Sequence, residues 1–179
     1  MFIFDNSKVC VLSNTRCGHT SMYAYYGIPV HKHTGLELED WKNSPSIRVM
    51  VLRNPIDRWL SGIKYVEAIK DNNQFYEKDG KLYTRQTHEP IEKILFEHTY
   101  PCELLTRNLD KTVSFKIIPF ENLQDYIPTS KHTTHVRVNR AHQRDVPMSP
   151  DMREAISNYK YYRKYCEVID PEEWKELTP

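Results

Sequence analysis

The stretch IRVMVLRNP, residues 47–55, contains the pattern that decides the fold of this chain. After Arg48 it is continuously apolar up to the next arginine, which is typical of a strand buried in a parallel sheet. Asn54 is a favourable helix N-cap and Pro55 a favourable first helical residue. Apolar side chains then recur at helical spacing through about Ile69. The stretch therefore predicts a buried strand that turns directly into a helix.

The same order of strand, turn and helix is predicted on either side of this stretch. KVCVLS (8–13) is short and apolar, and a helix is predicted from Thr20 to Tyr26, ending at Gly27. VSFKIIPF (113–120) predicts another strand, with a short helix after it. This alternation predicts an α/β fold in three layers, in which a mainly parallel sheet carries helices on both faces.

Further elements are predicted around this core. Asp79-Gly80 separates two strand-like halves, which predicts a hairpin excursion near residues 74–84. Other short elements are expected on similar grounds: a strand at 28–33, a helical turn at 36–41, and helices that begin at Pro90, Ser149 and Asp170. No internal repeat and no linker divides the chain, so we expect a single domain over residues 1–179.

Composition and charge limit the partners and the compartment. The formal net charge is +1, so nothing draws the whole chain to nucleic acid or membrane, and an anion site must be built locally. No apolar run approaches the ~20 residues of a membrane span, and no signal peptide is recognised. None of the four cysteines forms a CxxC pair, which argues against zinc. We expect a cytoplasmic protein with no nucleic-acid partner, no membrane span and no metal.

The first polar loop, LSNTRCGHTS (12–21), follows a predicted strand at the position where α/β sheets bind ligands. Gly18 lets the backbone approach an anion, and the amides that open the next helix point at it. Thr20 and Ser21 add hydroxyl donors, and Arg16 adds a positive charge. An ordinary turn with a surface arginine explains this loop equally well when it is taken alone.

The second polar loop, RNPIDRWLS (53–61), also follows a buried strand and opens a helix. Arg53 stands at the carboxyl end of the strand and Ser61 lies two turns into the helix. A guanidinium and a hydroxyl that converge on one phosphate are chemically favourable, because arginine binds phosphate bidentately. Arg58 lies between them, as a further phosphate ligand or as part of a solvated helix face. Two such turns on one sheet indicate a ligand with phosphates at two ends.

Together these motifs resemble those of the sulfotransferases that use 3′-phosphoadenosine 5′-phosphosulfate (PAPS), in particular the carbohydrate type. RCGHTS (16–21) is similar to their 5′-phosphosulfate loop, and RNPIDRWLS to their 3′-phosphate motif. FENL (120–123) and the helix over 149–166 also resemble segments of that family. The resemblance implies a P-loop nucleotide-kinase-like fold. It also implies transfer of a sulfuryl group from PAPS to an acceptor hydroxyl, with a glycan as the favoured acceptor.

The resemblance further implies roles for individual residues. The expected donor-binding residues are Arg16, Cys17, Gly18, His19, Thr20, Ser21, Arg53, Arg58, Ser61, Asn139 and Arg140. Arg16 takes the place of the loop lysine and is expected to be catalytic, by neutralising charge on the departing phosphate. The acceptor hydroxyl needs a general base, for which His88 and Glu89 are the candidates, whereas His98 is more typical of a helix face. No metal is required.

Two other functions stay open from the sequence. A P-loop nucleotide kinase predicts a lysine at position 19 and a magnesium-binding carboxylate at a strand end, whereas the chain has His19 and no clear aspartate of that kind. A non-catalytic nucleotide-binding module would keep Arg53 and Ser61 without a working base. The chain is also short for the family it resembles. This leaves open an abbreviated acceptor site, an open one, or a homo-oligomer in which a second copy completes it.

Overall fold

A four-stranded sheet forms the centre of the computed structural model, which describes residues 2–6, 8–13, 16–18, 21–22, 37–99, 113–127 and 146–178. The strand order is β1-β2-β3-β6, with bounds Phe2–Asp5, Val9–Ser13, Ile47–Leu52 and Lys116–Pro119. Strands β2, β3 and β6 are parallel, whereas β1 pairs with β2 antiparallel at the edge. The fold is therefore α/β, and its three parallel strands end at the same edge of the sheet.

Helices follow or flank these strands along the chain. Their bounds are α1 (Glu37–Asn43), α2 (Pro55–Asp71), α3 (Ile91–Thr99), α4 (Leu123–Tyr126), α5 (Pro150–Tyr165) and α6 (Pro171–Leu177), with a 3₁₀ turn at Phe120–Asn122. Strands β4 (Phe75–Lys78) and β5 (Lys81–Thr84) form a separate antiparallel hairpin. Within the described residues no helix is long and apolar enough to cross a membrane.

Capping side chains fix the starts of the helices that the sequence predicts. The Oδ1 atom of Asn54 accepts a hydrogen bond of 2.9 Å from the amide of Ile56, and Ser149 caps α5 in the same manner. Asp170 accepts from the amide of Glu172 at 2.8 Å. Each of these caps is followed by a proline, which suits the first helical turn because the missing N–H has no helical partner there.

The strands alternate their side chains between two hydrophobic clusters, and helices cover both faces of the sheet as predicted. On one face Val11 and Val51 pack with Trp174 of α6. On the other face Leu12 packs with Trp41 of α1, together with residues of α5. The indole of Trp41 donates to carbonyl oxygens of both β2 and β3, so this side chain is fixed by polar contacts as well as by burial.

Several elements differ from the expectation or fall outside the description. The strand expected over 113–120 is confined to Lys116–Pro119, and the edge strand β1 was not predicted. Ser21 and Met22 are helical, but the rest of the helix expected over 20–26 and the strand at 28–33 lie outside the described residues. The hairpin is confirmed, and Asp79 and Gly80 take φ values of 53° and 71° in its turn.

Candidate functional site

Segments that follow all three parallel strands meet at the carboxyl edge of the sheet. Arg53 comes directly after β3, and its Nη1 atom donates a hydrogen bond to the backbone carbonyl of Arg16, in the loop after β2. Its guanidinium carbon lies 4.2 Å from the ring centroid of Phe120, the residue after β6. A cation over an aromatic face is favourable, so Arg53 ties the three segments together.

The two motifs are also joined directly by side chains. The Nε and Nη2 atoms of Arg16 donate to the hydroxyl of Ser61 at 3.1 and 3.0 Å. The guanidinium of Arg16 also lies 5.1 Å from the ring centroid of Tyr65. Ser61 and Tyr65 are one turn apart on α2 and share a side of the helix. Arg16 from the first loop and Ser61 from the second therefore face one location.

The backbone of the first loop is shaped for close approach. Arg16 and Gly18 take left-handed φ values of 64° and 82°. A Cβ atom on Gly18 would lie 2.2 Å from Cδ2 of Leu123, so the φ value favours glycine and the packing leaves no room for a side chain unless Leu123 moves. The amide of Met22 donates to the carbonyl of Gly18 at 3.0 Å, and a helix therefore begins just after the glycine.

Cys17 sits between these two left-handed residues, but its side chain points elsewhere. It is buried in the hydrophobic cluster on one face of the sheet, and its carbonyl accepts a 3.0 Å hydrogen bond from the hydroxyl of Ser13. Cys17 therefore holds the loop against the sheet, and any contact with a ligand must come from its backbone.

The two arginines of this edge form a positive, partly desolvated site. Burial lowers the pKa of Arg16 and of Arg53 below the usual value, and the charge of Arg16 lowers the pKa of Arg53 further. Arg53 is 8% exposed. The carboxylate of Asp57 offsets part of the lowering of the pKa of Arg53, but within the described parts of the chain neither guanidinium forms a close ion pair with a carboxylate. Because a desolvated cation is costly without a counter-charge, the site favours an anionic ligand.

Arg58 has a different role from the ligand contact expected for it. Its side chain is fully buried, with 0% exposed, so the solvated helix face is excluded as well. The Nη1 and Nη2 atoms donate to the carbonyls of His98 and Thr99 at 3.3 and 3.1 Å. These are carbonyls at the end of α3 that lack helical partners, and a cation there is favourable. Arg58 thus holds the end of α3 against α2.

Gly62 allows the same contact between the two helices. A Cβ atom at this position would lie 2.3 Å from the carbonyl oxygen of His98. One turn further along α2, the ring of Tyr65 stacks on the imidazole of His98, with centroids 4.5 Å apart and planes 18° apart. The ring of Tyr65 therefore lies next to both the guanidinium of Arg16 and the imidazole of His98. Through this ring the end of α3 is linked to the loop at the carboxyl edge of the sheet. The spacing of Tyr65 four residues after Ser61 was the available sequence signal.

His88 and Glu89, the expected candidates for the general base, lie before the other end of α3. The Nδ1 atom of His88 is 3.2 Å from the hydroxyl of Tyr76 on the hairpin. Glu89 pairs with Lys93, and the hydrogen bond from this lysine lowers the pKa of the carboxyl group. The α3 helix is nine residues long, so its two ends are separated by roughly 13 Å. No described contact joins either residue to Arg16, Arg53 or Ser61.

The remaining expected site residues divide into two groups. Ser21 is helical and partly exposed, as expected for the start of the helix after Gly18. His19, Thr20, Asn139 and Arg140 lie outside the described residues. Phe120, which the sequence offered only as part of FENL, joins the site as the ring under Arg53.

Comparisons with protein-family models, with curated proteins and with solved structures find no match to this chain. Its own residues are thus the basis for assigning a ligand to the site. They offer two arginines, a serine hydroxyl and a tight turn that opens a helix, which together suit a phosphate-bearing or sulfate-bearing anion.

Proposed function

We propose that this edge of the sheet binds PAPS and that the protein transfers its sulfuryl group to an acceptor hydroxyl on a carbohydrate. The observation that carries the proposal is the pair of hydrogen bonds from Arg16 to Ser61, because it joins the two motifs, one for each end of the donor, at the same edge of the sheet. A P-loop nucleotide-kinase-like fold belongs to the same proposal. It is supported by three parallel strands whose following turns converge at the carboxyl edge.

In this proposal each arginine serves a different end of the donor. Arg53 and Ser61 hold the 3′-phosphate, and the amides after Gly18 hold the 5′-phosphosulfate. Arg16 neutralises the charge that builds on the 5′-phosphate as the bond from its bridging oxygen to sulfur breaks and the acceptor oxygen bonds to sulfur. Fixed cations in a partly desolvated site are effective here because they need no reorganisation during transfer. Arginine stays protonated, so Arg16 acts by its charge.

The acceptor hydroxyl must give up a proton, and we propose His98 as the group that receives it, in place of His88 or Glu89. Two contacts of His98 support this choice: Arg58 donates to its carbonyl, which Gly62 allows α2 to approach, and Tyr65 stacks on its imidazole. The ring of Tyr65 also lies near Arg16, with the guanidinium carbon 5.1 Å from its centroid. A general base must reach the proton that it removes, so geometry is the first criterion. His88 is held by Tyr76 on the hairpin instead.

Calorimetric binding of adenosine 3′,5′-bisphosphate (3′,5′-ADP), compared with ADP and ATP, tests the donor site. We expect 3′,5′-ADP to bind most tightly and Arg53→Ala to weaken it by about 10- to 100-fold, the value of a charge-assisted hydrogen bond. Arg48→Ala is the matched control, because Arg48 lies on the same strand and donates to backbone carbonyls away from the carboxyl edge. It should leave affinity unchanged.

Each other outcome has a defined meaning. Tighter binding of ATP that depends on Mg²⁺ would refute the sulfotransferase and indicate a nucleotide kinase. Binding of 3′,5′-ADP that is lost in Arg53→Ala, without transfer from PAPS to any hydroxyl acceptor, would indicate a non-catalytic nucleotide-binding module. No binding of any of the three nucleotides would refute the donor site itself.

A further inference from the structure

The β4–β5 hairpin presents two chemically different faces. Phe75 and Leu82 on one face pack against the hydrophobic residues that join α2 to α3. Because side chains alternate along a strand, the opposite face carries the two cross-strand pairs Tyr76–Tyr83 and Lys78–Lys81. We call this second surface, formed by Tyr76, Lys78, Lys81 and Tyr83, the hairpin outer face.

The charges on the hairpin outer face are unbalanced. Lys78 and Lys81 are directly opposite each other, both are exposed, and neither forms an ion pair within the described residues. Like charges that face each other across a strand pair are unfavourable for the hairpin itself. Glu77 belongs to the other face by alternation, and Asp79 lies in the turn rather than in a strand. An anion between the two lysines would relieve this repulsion.

The tyrosines on the same face are held in a fixed arrangement. The rings of Tyr76 and Tyr83 stack with centroids 5.6 Å apart and planes 21° apart. The hydroxyl of Tyr76 is also 3.2 Å from Nδ1 of His88, which approaches the ring edge-on. Two partly exposed tyrosines that are already ordered offer hydroxyls and apolar ring surface to a ligand at a low entropic cost.

We propose that the hairpin outer face binds an anionic polysaccharide, one that carries carboxylate or sulfate groups on sugar rings. The lysines supply point charges for the acidic groups, and the tyrosines suit sugar rings, which combine hydroxyls with apolar C–H surface. Nucleic acid fits less well, because two lysines are far fewer positive charges than the row of phosphate contacts that nucleic-acid binding uses. The chain's net charge of +1 also provides no long positive track.

The inference goes beyond the donor site and does not depend on it, since binding is measured without donor or transfer. Purified protein is titrated with fluorescently labelled polygalacturonate, dextran sulfate and neutral dextran, and with labelled oligo(dT) and polyglutamate. We expect at least one of the two acidic polysaccharides to bind, more tightly than dextran, oligo(dT) and polyglutamate. Comparing polygalacturonate with dextran sulfate distinguishes carboxylate from sulfate recognition.

The double variant Lys78→Ala/Lys81→Ala should weaken polysaccharide binding by about tenfold or more. Its matched control is Lys160→Ala/Lys164→Ala, which removes two positive charges from exposed positions of α5. This helix also carries a contacting pair of tyrosines, Tyr161 and Tyr165, so the control has both kinds of side chain. Tyr83→Phe should weaken binding without changing the melting temperature, since the ring stack is kept.

Four results would overturn the proposal. One is equal binding of neutral dextran, or of oligo(dT) or polyglutamate, since the face would then not select acidic sugars. Another is an equal loss in the α5 control, which would assign binding to general charge or to the other tyrosine pair. The third is unchanged affinity in the hairpin double variant with its melting temperature preserved. Failure of any acidic polysaccharide to bind has the same meaning.

Discussion

Gly18 is expected to be far less tolerant of substitution than Gly80, although both take left-handed φ values of 82° and 71°. Replacing either by alanine costs the backbone strain of an L-residue in this region, about 1–2 kcal/mol. Both substitutions also reduce the entropy of the unfolded chain equally, which offsets part of that cost. The two sites differ in what the new methyl group meets.

At Gly80 nothing lies within 4 Å of the added Cβ atom, so the strain is the whole cost. At Gly18 the Cβ atom would lie 2.2 Å from Cδ2 of Leu123, a side chain that is 2% exposed and packed in the core. Phe120, the ring under Arg53, is 3.4 Å away. Overpacking of this kind costs typically about 1–3 kcal/mol, so Gly18→Ala should be about 2 kcal/mol more destabilising than Gly80→Ala.

Urea unfolding of the two variants and of the unchanged protein measures this difference. The dependence on urea concentration should keep its slope, so that the shift of the midpoint reports the change in free energy of unfolding. If the two alanine variants lost the same free energy, the close packing of the first loop on Leu123 would be refuted. A larger loss for Gly80→Ala would refute it as well.

Three further predictions follow from contacts that the site and the core share. Gly62→Ala places a methyl group 2.3 Å from the carbonyl of His98, which is backbone and cannot rotate away, so a loss of about 3 kcal/mol is expected in urea unfolding; a loss no larger than that of Gly80→Ala would contradict it. His98→Gln should lower turnover by about 100-fold or more while 3′,5′-ADP still binds, whereas His88→Gln should have no effect; the reverse pattern would restore His88 as the base. Burial, reinforced by the charges of Asp125 and Asp170, raises the pKa of Tyr126, whose hydroxyl donates to the carbonyl of Ile169. Protonated Tyr126 therefore contributes fully to the free energy of unfolding below its usual pKa of about 10. This stabilisation is lost as the pH rises through the raised pKa. Unfolding free energies measured up to alkaline pH should fall less steeply in Tyr126→Phe, and an unchanged slope would contradict the assignment.

Local signals in the sequence predicted the central elements because their causes lie within a few residues. Asn54 and Pro55 begin α2, and Asp79-Gly80 makes the hairpin turn, since caps and turns are closed by short-range hydrogen bonds and φ preferences. The edge strand β1 was missed because its pairing depends on β2, a partner that its own residues do not specify.

The candidate site was predicted in part. The meeting of the two polar loops was expected from their positions after parallel strands, and the structure brings Arg16, Arg53 and Ser61 together there. Their roles toward a ligand stay predictions. Tyr65 and Phe120 were not recognised: Tyr65 was signalled only by its position one turn after Ser61, and neither aromatic residue has a fixed sequence spacing from the arginine that it contacts.

The sequence by itself determined the buried strands, the capped helices, the hairpin and the two polar loops, all of which depend on neighbouring residues. Only the tertiary structure decided what each charged side chain does. Arg58 and Arg53 belong to one motif, yet Arg58 caps the end of α3 some 40 residues away while Arg53 faces the sheet edge. The same packing of α3 on α2 brings His98, and not His88, to Tyr65. A buried guanidinium needs hydrogen-bond acceptors, because burying its charge without them is costly. The carbonyls that accept from Arg58 come into reach only once α3 has packed against α2.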